Sequence, residues 1–513
     1  MEVIFGPPGT GKTTELSRLV RQYAEEDGPD SLLLSAFTRT AAREMAGRDL
    51  PLSPHQVGTL HSHCYQALDH PTIAEGEWKK WNEAYPVWAL SPQADRQGAF
   101  EDGGKATLGD ECLAAVSKLR HELIPKERWP PELKYFAVRW EDWKQQYGYK
   151  DYADLIEDAY HLIPVAPGNP STLIFDEAQD FSLLQWRLLE RWGEHATRVI
   201  AAGDDDQALY RWAGADFHPL LAAASRRVLP QSYRVPCAVQ GLADRHVRRV
   251  RDREPKAWAP RSHMGTIARL GMTWECPEPF LQVILQELEA PFGSLACVAP
   301  CGYMLAPLIQ ALRSEGVPFG NNWRPTRRDW NPLRVSKGVS AAQRLADFIR
   351  PVDRLWTWPE LSTWLPWVHA ERVLHRGAKK QLALHDEATG VVTLDELATL
   401  IRPDALAGVL HGGATWFGEH VLQSHAKTLA YPLRVAKRYG REALFAPPRI
   451  TLGTIHSLKG GEADTVILIN DLSRAQRIAL LEGGSNGDDV WRMLYVGITR
   501  ARDTLYTVGA SHA

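Results

Sequence analysis

Two hydrophobic textures alternate along this chain. One is a short, unbroken run of β-forming apolar residues followed by a stretch with helical spacing, the pattern of a strand buried on both faces and its crossover helix. Val3 to Phe5 is the first such run, and behind it ELSRLVRQYA places Leu16, Leu19, Val20 and Tyr23 on one helical face. SLLLSAF (31–37), STLIFDEAQD (171–180), SLACVAP (294–300), RITLGTIHSLKG (449–460) and DTVILIN (464–470) repeat the strand signal, and RVIAAGDDDQALYRWAGAD (198–216) continues the α/β pattern after the second of them. The other texture is charged, helical and rich in Trp, and it fills 71–170 and 322–439. The order predicts an α/β fold of two parallel-sheet nucleotide-fold cores, each interrupted by a mainly helical insertion. The first core takes 1–70 and 171–226 around an insertion at 71–170. The second takes 227–321 and 440–513 around one at 322–439.

Length and composition narrow the class. At 513 residues the chain exceeds one ordinary domain, and 44% hydrophobic with 24% charged residues is globular composition. The formal net charge of −3 excludes an overall basic coat but leaves room for a local basic groove. Six scattered cysteines read as reduced thiols, with the close pair Cys297 and Cys301 as small core residues beside a strand. The N-terminus shows no leader pattern and no stretch is apolar enough to span a bilayer, so a soluble, cytoplasmic protein without a membrane partner is expected.

The densest chemistry lies in GPPGTGKTT, residues 6–14, between the first strand and the first helix. This is the context of a phosphate-binding loop. Gly6, Pro7, Pro8, Gly9, Thr10 and Gly11 curl the backbone so that its N–H groups converge on phosphate oxygens at a helix start. Lys12 adds a point charge for the β- and γ-phosphates, Thr13 offers a hydroxyl to Mg²⁺, and Thr14 continues the motif. In LIFDEAQD, a strand ends in two acids: Asp176 suits the Mg²⁺ shell, and Glu177 suits orienting or deprotonating a water. Arg234 and Arg500 could close over ATP or be ordinary salt-bridged arginines, and pattern alone does not choose. Phe37, Tyr210 and Trp212 could stack on bases, at about 1–3 kcal/mol each, or fill a core. The histidines of TLHSH and TIHS carry the same ambiguity. The arginine clusters Arg245, Arg248, Arg249, Arg251 and Arg253, and Arg324, Arg327 and Arg328, read first as solvated helix faces, with a phosphate-tracking rim as the alternative.

Taken in order, GPPGTGKTT, SAFTRTAAREM, VGTLHSHCYQAL, DYADLI, LIFDEAQD, AAGDDDQALYRWAGAD, LPQSYR, TLGTIHSLKGGEAD and LYVGITRAR resemble the motifs of the UvrD/Rep/PcrA family of superfamily 1 helicases. The likeness runs from Gly6 to Arg502. It implies two RecA-like P-loop NTPase-fold domains with ATP and Mg²⁺ in the cleft between them. It also implies an ATP-driven translocase on single-stranded DNA and at single/double-strand junctions, a 3′–5′ helicase working as a monomer in repair or replication. Gln207 becomes the sensor of γ-phosphate and water, Arg234 and Arg500 the arginine fingers, Tyr233 the adenine stack, and Glu462 the ribose contact. Phe37, Thr59, His61, Tyr210, Trp212 and His456 match positions lining the single-strand track.

Three departures from the family pattern shape the expectation. Only five residues precede Gly6, where the family carries an adenine-reading Gln, so relaxed nucleotide selectivity is expected. The second insertion is short, which favours translocation over unwinding and keeps a nucleotide-switched DNA-binding ATPase as the alternative. Thirteen residues follow Arg500, leaving no room for an appended nuclease. A small-molecule P-loop kinase is disfavoured, because Glu177 and the paired arginines suit water as acceptor.

Overall fold

The apolar run at the N-terminus forms strand β1 (Glu2–Phe5) and the spacing behind it forms helix α1 (Lys12–Asp27), which buries Leu16, Leu19 and Val20. In the computed structural model, which describes residues 1–92, 106–290, 293–325, 327–335, 338–349, 354–385 and 388–509, the chain forms two units. One comprises Met1–Leu270, Val298–Tyr303 and Thr454–Ala513; the other comprises Gly271–Cys297 and Met304–Gly453.

The first unit is built on β1, β2 (Leu32–Ala36), β3 (Val57–Thr59), β4 (Thr172–Asp176), β5 (Arg198–Gly203) and β6 (Ser225–Val228). They lie in the order β3-β2-β4-β5-β1-β6, and every pairing is parallel. Helix α2 (Arg39–Ala46) and helix α3 (Leu60–Ala67) follow β2 and β3. Ile4, Leu34, Ile174 and Ile200 pack with Leu16 and Val20 of α1. Val3, Phe5, Leu33, Leu173 and Phe175 belong to a second cluster, with Leu60 and Cys64 of α3. Both faces are therefore dry, which is why these strands read as unbroken apolar runs. Register decides where the chemistry goes: Thr59 pairs with Ala36, Ala36 with Asp176, and Phe5 with Gly203. The phosphate loop, Phe37, Glu177 and Asp204 thus all emerge at the carboxyl edge of one sheet, the usual place for a ligand in a parallel fold.

The helical segment following α3 contains α4 (Trp78–Ala84), α5 (Leu108–His121), α6 (Pro131–Tyr147) and α7 (Tyr152–Leu162). Trp81, Phe136, Trp140 and Trp143 form its own core. Helix α7 instead sends Leu155, Ile156 and Ala159 into the α3 side of the sheet, where α8 (Leu183–Gly193) also packs. Further on, β7 (Gln231–Pro236) pairs in parallel with β8 (Ala259–Arg261). In the same unit β9 (Thr266–Leu270), β13 (Ala463–Ile469) and β14 (Ala501–Val508) pair in parallel in the order β13-β14-β9. Helices α9 (Cys237–Val247) and α10 (Gly484–Ile498) pack on each other.

The second unit contains the parallel pair β11 (Phe319–Gly320) and β12 (Ile450–Thr454). Strands β10 (Leu295–Ala299) and β12 are where the chain passes from this unit into the first. Its helices include Ala306–Glu315, Ala341–Phe348, Trp358–Trp364 and Gln423–Tyr439. Trp356 and Trp364 (ring centroids 5.4 Å apart) pack with Phe348 and Phe417 as its aromatic core. The indole of Trp356 donates to the Asp347 carbonyl at 2.8 Å.

The α/β class with parallel sheets and helical interruptions matches the expectation from sequence. None of the six cysteines forms a disulfide, and Cys297 and Cys301 are buried. The arginine runs are corrected in part. Helix α9 ends at Val247, and Arg253 turns inward onto Asp206 while Arg249 lies over Trp491 and Arg251 faces Asp488. Likewise 324–325 and 327–328 belong to a loop with turns, and Arg327 lies over Trp330. Arg245 and Arg248, at the end of α9, and Arg251 stay exposed as expected, so the correction concerns Arg253, whose acid lies near only in space, and the loop that replaces a helix at 324–325 and 327–328. Among the described residues, no helix is long and apolar enough to cross a membrane.

Candidate nucleotide and nucleic-acid site

Gly9 and Gly11 hold positive φ (72° and 80°), which lets the loop turn its amides toward one point. A Cβ on Gly6 would sit 1.8 Å from Lys12 Cγ, and one on Gly9 would sit 2.3 Å from Arg234 Cβ. Both glycines are thus required by close approach. The Thr10 hydroxyl donates to the Pro7 carbonyl at 2.8 Å. From the facing strand β7, Ser232 donates its hydroxyl to the Pro8 carbonyl (2.7 Å), and the Tyr233 amide donates to the Gly9 carbonyl (2.8 Å). Residues of the QSYR motif are therefore bonded directly to the phosphate loop.

Lys12 Nζ donates to the Gly6 carbonyl at 3.0 Å and lies 3.6 Å from Glu177 Oε1. Glu177 follows the buried end of β4 in the left-handed region (φ 56°), a rare conformation for a residue with a Cβ. Its amide donates to Asp176 Oδ1 (2.9 Å), and Gln179 Nε2 donates to its Oε2 (2.6 Å). The two adjacent carboxyls titrate apart. Burial, with the Glu177 charge beside it, pushes Asp176 up to about 7. Burial also penalises the Glu177 anion, but Lys12, Lys459 and the Gln179 amide outweigh it and hold Glu177 at about 2. Glu177 is accordingly an anion at neutral pH.

Gln207 donates Nε2 to Asp204 Oδ2 at 2.6 Å and accepts at Oε1 from Arg500 Nη2 at 3.2 Å. Arg500 is buried; desolvation and the Arg234 charge lower its pKa, while Glu177 and Glu462 oppose that. Its Nε and Nη1 donate to the carbonyls of Val496 (2.9 Å) and Gly461 (3.2 Å). Arg234 is paired at 2.5 Å with Glu462, whose other oxygen is 3.3 Å from Arg502. Tyr233 is 71% exposed, an open ring beside the loop. Thr13 Oγ1 and Asp176 are a hydroxyl and a carboxylate, the hard-oxygen donors Mg²⁺ takes, and the raised, buried Asp176 carboxyl would gain from a cation. Thr14 instead accepts from Arg48 (3.2 Å).

Four of the six strand-track candidates meet around Tyr210. Its ring lies 5.1 Å from Phe37, 6.2 Å from Trp212 and 6.2 Å from His456. Tyr210 is 8% exposed and Trp212 40%, so Trp212 offers the open face and Tyr210 supports it. Thr59 and His61 lie at the start of α3. The Thr59 hydroxyl caps that helix by accepting from the Ser62 amide (3.2 Å), and His61 packs against Tyr152 and His121.

Sequence reading missed two residues that join these groups. Lys459, within TIHSLKGGEAD, bonds to Asp180 Oδ2 and donates to the Gln207 carbonyl (3.0 Å). It also lies 3.7 Å from Glu177 Oε2 and 5.5 Å from the Tyr210 ring centre. Asp180 is its fully buried partner and accepts from the Leu209 amide at 3.2 Å. The signal is a lysine three residues past His456, but its hydrogen-bond partners Gln207 and Asp180 are 252 and 279 residues away in sequence.

Comparison with known proteins agrees with this arrangement. Residues 2–227 match the UvrD/REP helicase N-terminal domain. A putative ATP-dependent DNA helicase YjcD of Bacillus subtilis is 25% identical over 288 residues, 50% of this chain and 37% of that protein. A probable DNA helicase II homolog of Mycoplasma pneumoniae is 26% identical over 245 residues, 42% of this chain and 34% of that protein. The ATP-dependent DNA helicase PcrA of Staphylococcus epidermidis is 25% identical over 292 residues, 51% of this chain and 40% of that protein. The matches thus span 34–40% of these relatives' length. The structure of PRRSV helicase aligns with a TM-score of 0.31 at 10% identity, covering 99% of this chain and 52% of its own, a likeness too slight to weigh. With the motifs in order and the phosphate loop and acid pair at one sheet edge, residues 2–227 carry the UvrD/REP helicase N-terminal domain and the chain is similar to UvrD/PcrA-like superfamily 1 helicases.

Proposed function

We propose that the protein hydrolyses ATP to drive translocation on single-stranded DNA and to separate duplex ahead of it, with 3′–5′ polarity. The observation carrying this reading is the continuous link from Trp212 and Tyr210 through Lys459 to Glu177, Asp180 and the Gln207 carbonyl. An ATPase with no use for a strand has no need to tie an aromatic platform to its water-activating carboxylate.

In this reading the loop amides and Lys12 hold the phosphates, and Tyr233 stacks on the base. Ionised Glu177 orients a water and accepts its proton as the water oxygen bonds to the γ-phosphorus and the bond from that phosphorus to the ADP oxygen breaks, giving ADP and phosphate. Gln207 and Arg500, already in contact, meet the γ-phosphate, with Arg234 opposite. Thr13 and Asp176 would hold Mg²⁺, which supplies charge neutralisation on the phosphates. Glu462 serves the ribose once Arg234 turns to phosphate. Phe37, Trp212, Tyr210 and His456 form the track, with Thr59 and His61 at its margin. The domain limits 1–70 with 171–226, and 227–321 with 440–513, the monomeric state, the preference for single/double-strand junctions and a cytoplasmic setting belong to the same proposal.

The test is ATP turnover with and without a single-stranded oligonucleotide at low salt, followed by strand displacement on 3′- and 5′-tailed duplexes. Stimulated turnover with displacement only from the 3′ tail is the expected result. Stimulation without displacement would replace the helicase with a nucleotide-switched DNA-binding ATPase.

A further inference from the structure

Asp204, Asp205 and Asp206 are three consecutive carboxylates, 0%, 0% and 1% exposed, directly before Gln207. Buried acids at this density need cations, and the chain brings them from a segment about fifty residues on. Lys256, with its side chain 1% exposed, places Nζ 3.2 Å from Asp204, 2.6 Å from Asp205 and 3.0 Å from Asp206. Arg253 makes a fork of two 2.6 Å bonds to Asp206. The Glu254 amide donates to Asp205 Oδ2 (2.8 Å), and Arg492 Nε of α10 donates to the Asp205 carbonyl (2.9 Å). The acidic turn is therefore held by side chains from 253–256 and from α10.

What the turn holds is Gln207. One oxygen of Asp204 faces Lys256 and the other accepts the Gln207 amide at 2.6 Å. That bond fixes which end of the Gln207 side chain points away, so its oxygen meets Arg500. The Asp204 amide also donates to Gln179 Oε1 (3.0 Å), whose Nε2 holds Glu177 (2.6 Å).

We propose that Lys256, braced by Arg253, is a positioning residue for hydrolysis, acting through Asp204 to set the orientation of Gln207. This rests on the ATPase reading above. Neither residue touches the phosphate loop in the contacts described, so their loss should spare nucleotide binding and slow the chemical step. Replacing Lys256 with uncharged Met removes the ammonium from Asp204 and Asp205 while Arg253 still holds Asp206, and Asp204 must protonate or rotate. A displacement of about 1 Å at a group of this kind costs on the order of a hundredfold in rate.

The experiment is a double-mutant cycle in kcat using Lys256→Met and Gln207→Ala, with KM for ATP recorded alongside. The expected result is a kcat lowered about ten- to a hundredfold by Lys256→Met at little-changed KM. In the Gln207→Ala background Lys256→Met should have no further effect. A merely structural lysine would lower kcat by the same factor in both backgrounds, and that result overturns the proposal. If Lys256→Met does not fold, the cycle is run with Arg253→Gln under the same criterion. Basal turnover of the unaltered protein suffices, so absent DNA stimulation would count against the motor alone, whereas absent hydrolysis would overturn both proposals.

Discussion

Replacing Lys459 with Met removes the ammonium bonded to Asp180 and leaves that carboxyl, 0% exposed, to burial. Burial already raises Asp180 while Lys459 lowers it, so in the variant the acid must protonate or remain an unpaired buried anion. Breaking a buried pair on one side costs about 3–5 kcal/mol, a large part of the roughly 5–15 kcal/mol that stabilises a typical domain. Removing both charges should not cost that much. In Asp180→Asn the amide oxygen still accepts from the Leu209 amide, so the double variant should recover most of the loss. The assay is urea unfolding of the wild type, both single variants and the double variant, with ATP turnover measured with and without single-stranded DNA. Lys459→Met should also weaken DNA stimulation more than basal turnover, since it removes the ammonium that lies between the Tyr210 ring and Glu177. A single-variant loss below about 1 kcal/mol, or a double variant as unstable as the two losses summed, would refute the reasoning.

Three further outcomes are expected. Glu177→Gln should keep ATP affinity near wild type while kcat falls by about a hundredfold or more; equal losses in affinity and kcat would place Glu177 in binding rather than in water activation. Trp212→Ala should weaken binding to single-stranded DNA by about 1–3 kcal/mol in a fluorescence titration and leave basal turnover intact; matched loss of both would make Trp212 a packing residue. Burial holds the His63 imidazole down at about 4, with its Nε2–H donating to the Leu34 carbonyl at 3.1 Å. Because the folded pKa is depressed below 6.5, the unfolded chain binds the extra proton, so this stability is present at pH 7 and is lost as pH falls from about 6.5 to about 4. At pH 5 the loss is about 2 kcal/mol. Unfolding free energies at pH 7 and 5 should therefore differ by about that much more in wild type than in His63→Gln, and parallel slopes would reject the assignment.

The parts legible in the linear chain are those whose physics is local. GPPGTGKTT needs only its own glycines and the helix after it to form a phosphate loop, and LIFDE needs only four apolar residues to drive its acids to a strand end. Leu16, Leu19 and Val20 announce the buried face of α1 by spacing alone. Arg234, Arg500 and Gln207 were recognisable as motif members, yet their pattern held no hint that Arg234 meets Glu462 or that Arg500 meets Gln207.

Side chains whose charge is compensated at long range were opaque for a definite reason. Helical or strand periodicity reports which face is dry, and a buried cation is selected by where an anion lies in space. The pattern of the basic run therefore reports exposure correctly for Arg245 and Arg248 but not for Arg253, and it carries no signal for Lys459 or Lys256. Parallel register across β2, β4, β5 and β1 brings Phe37, Glu177 and Asp204 to one edge. Folding then carries 253–256 and the segment after β12 onto them. Local pattern specified the loop, the strands and the acid pair. Which lysines and arginines neutralise those acids was settled by packing, because a carboxylate removed from water must find its partner wherever the chain delivers one.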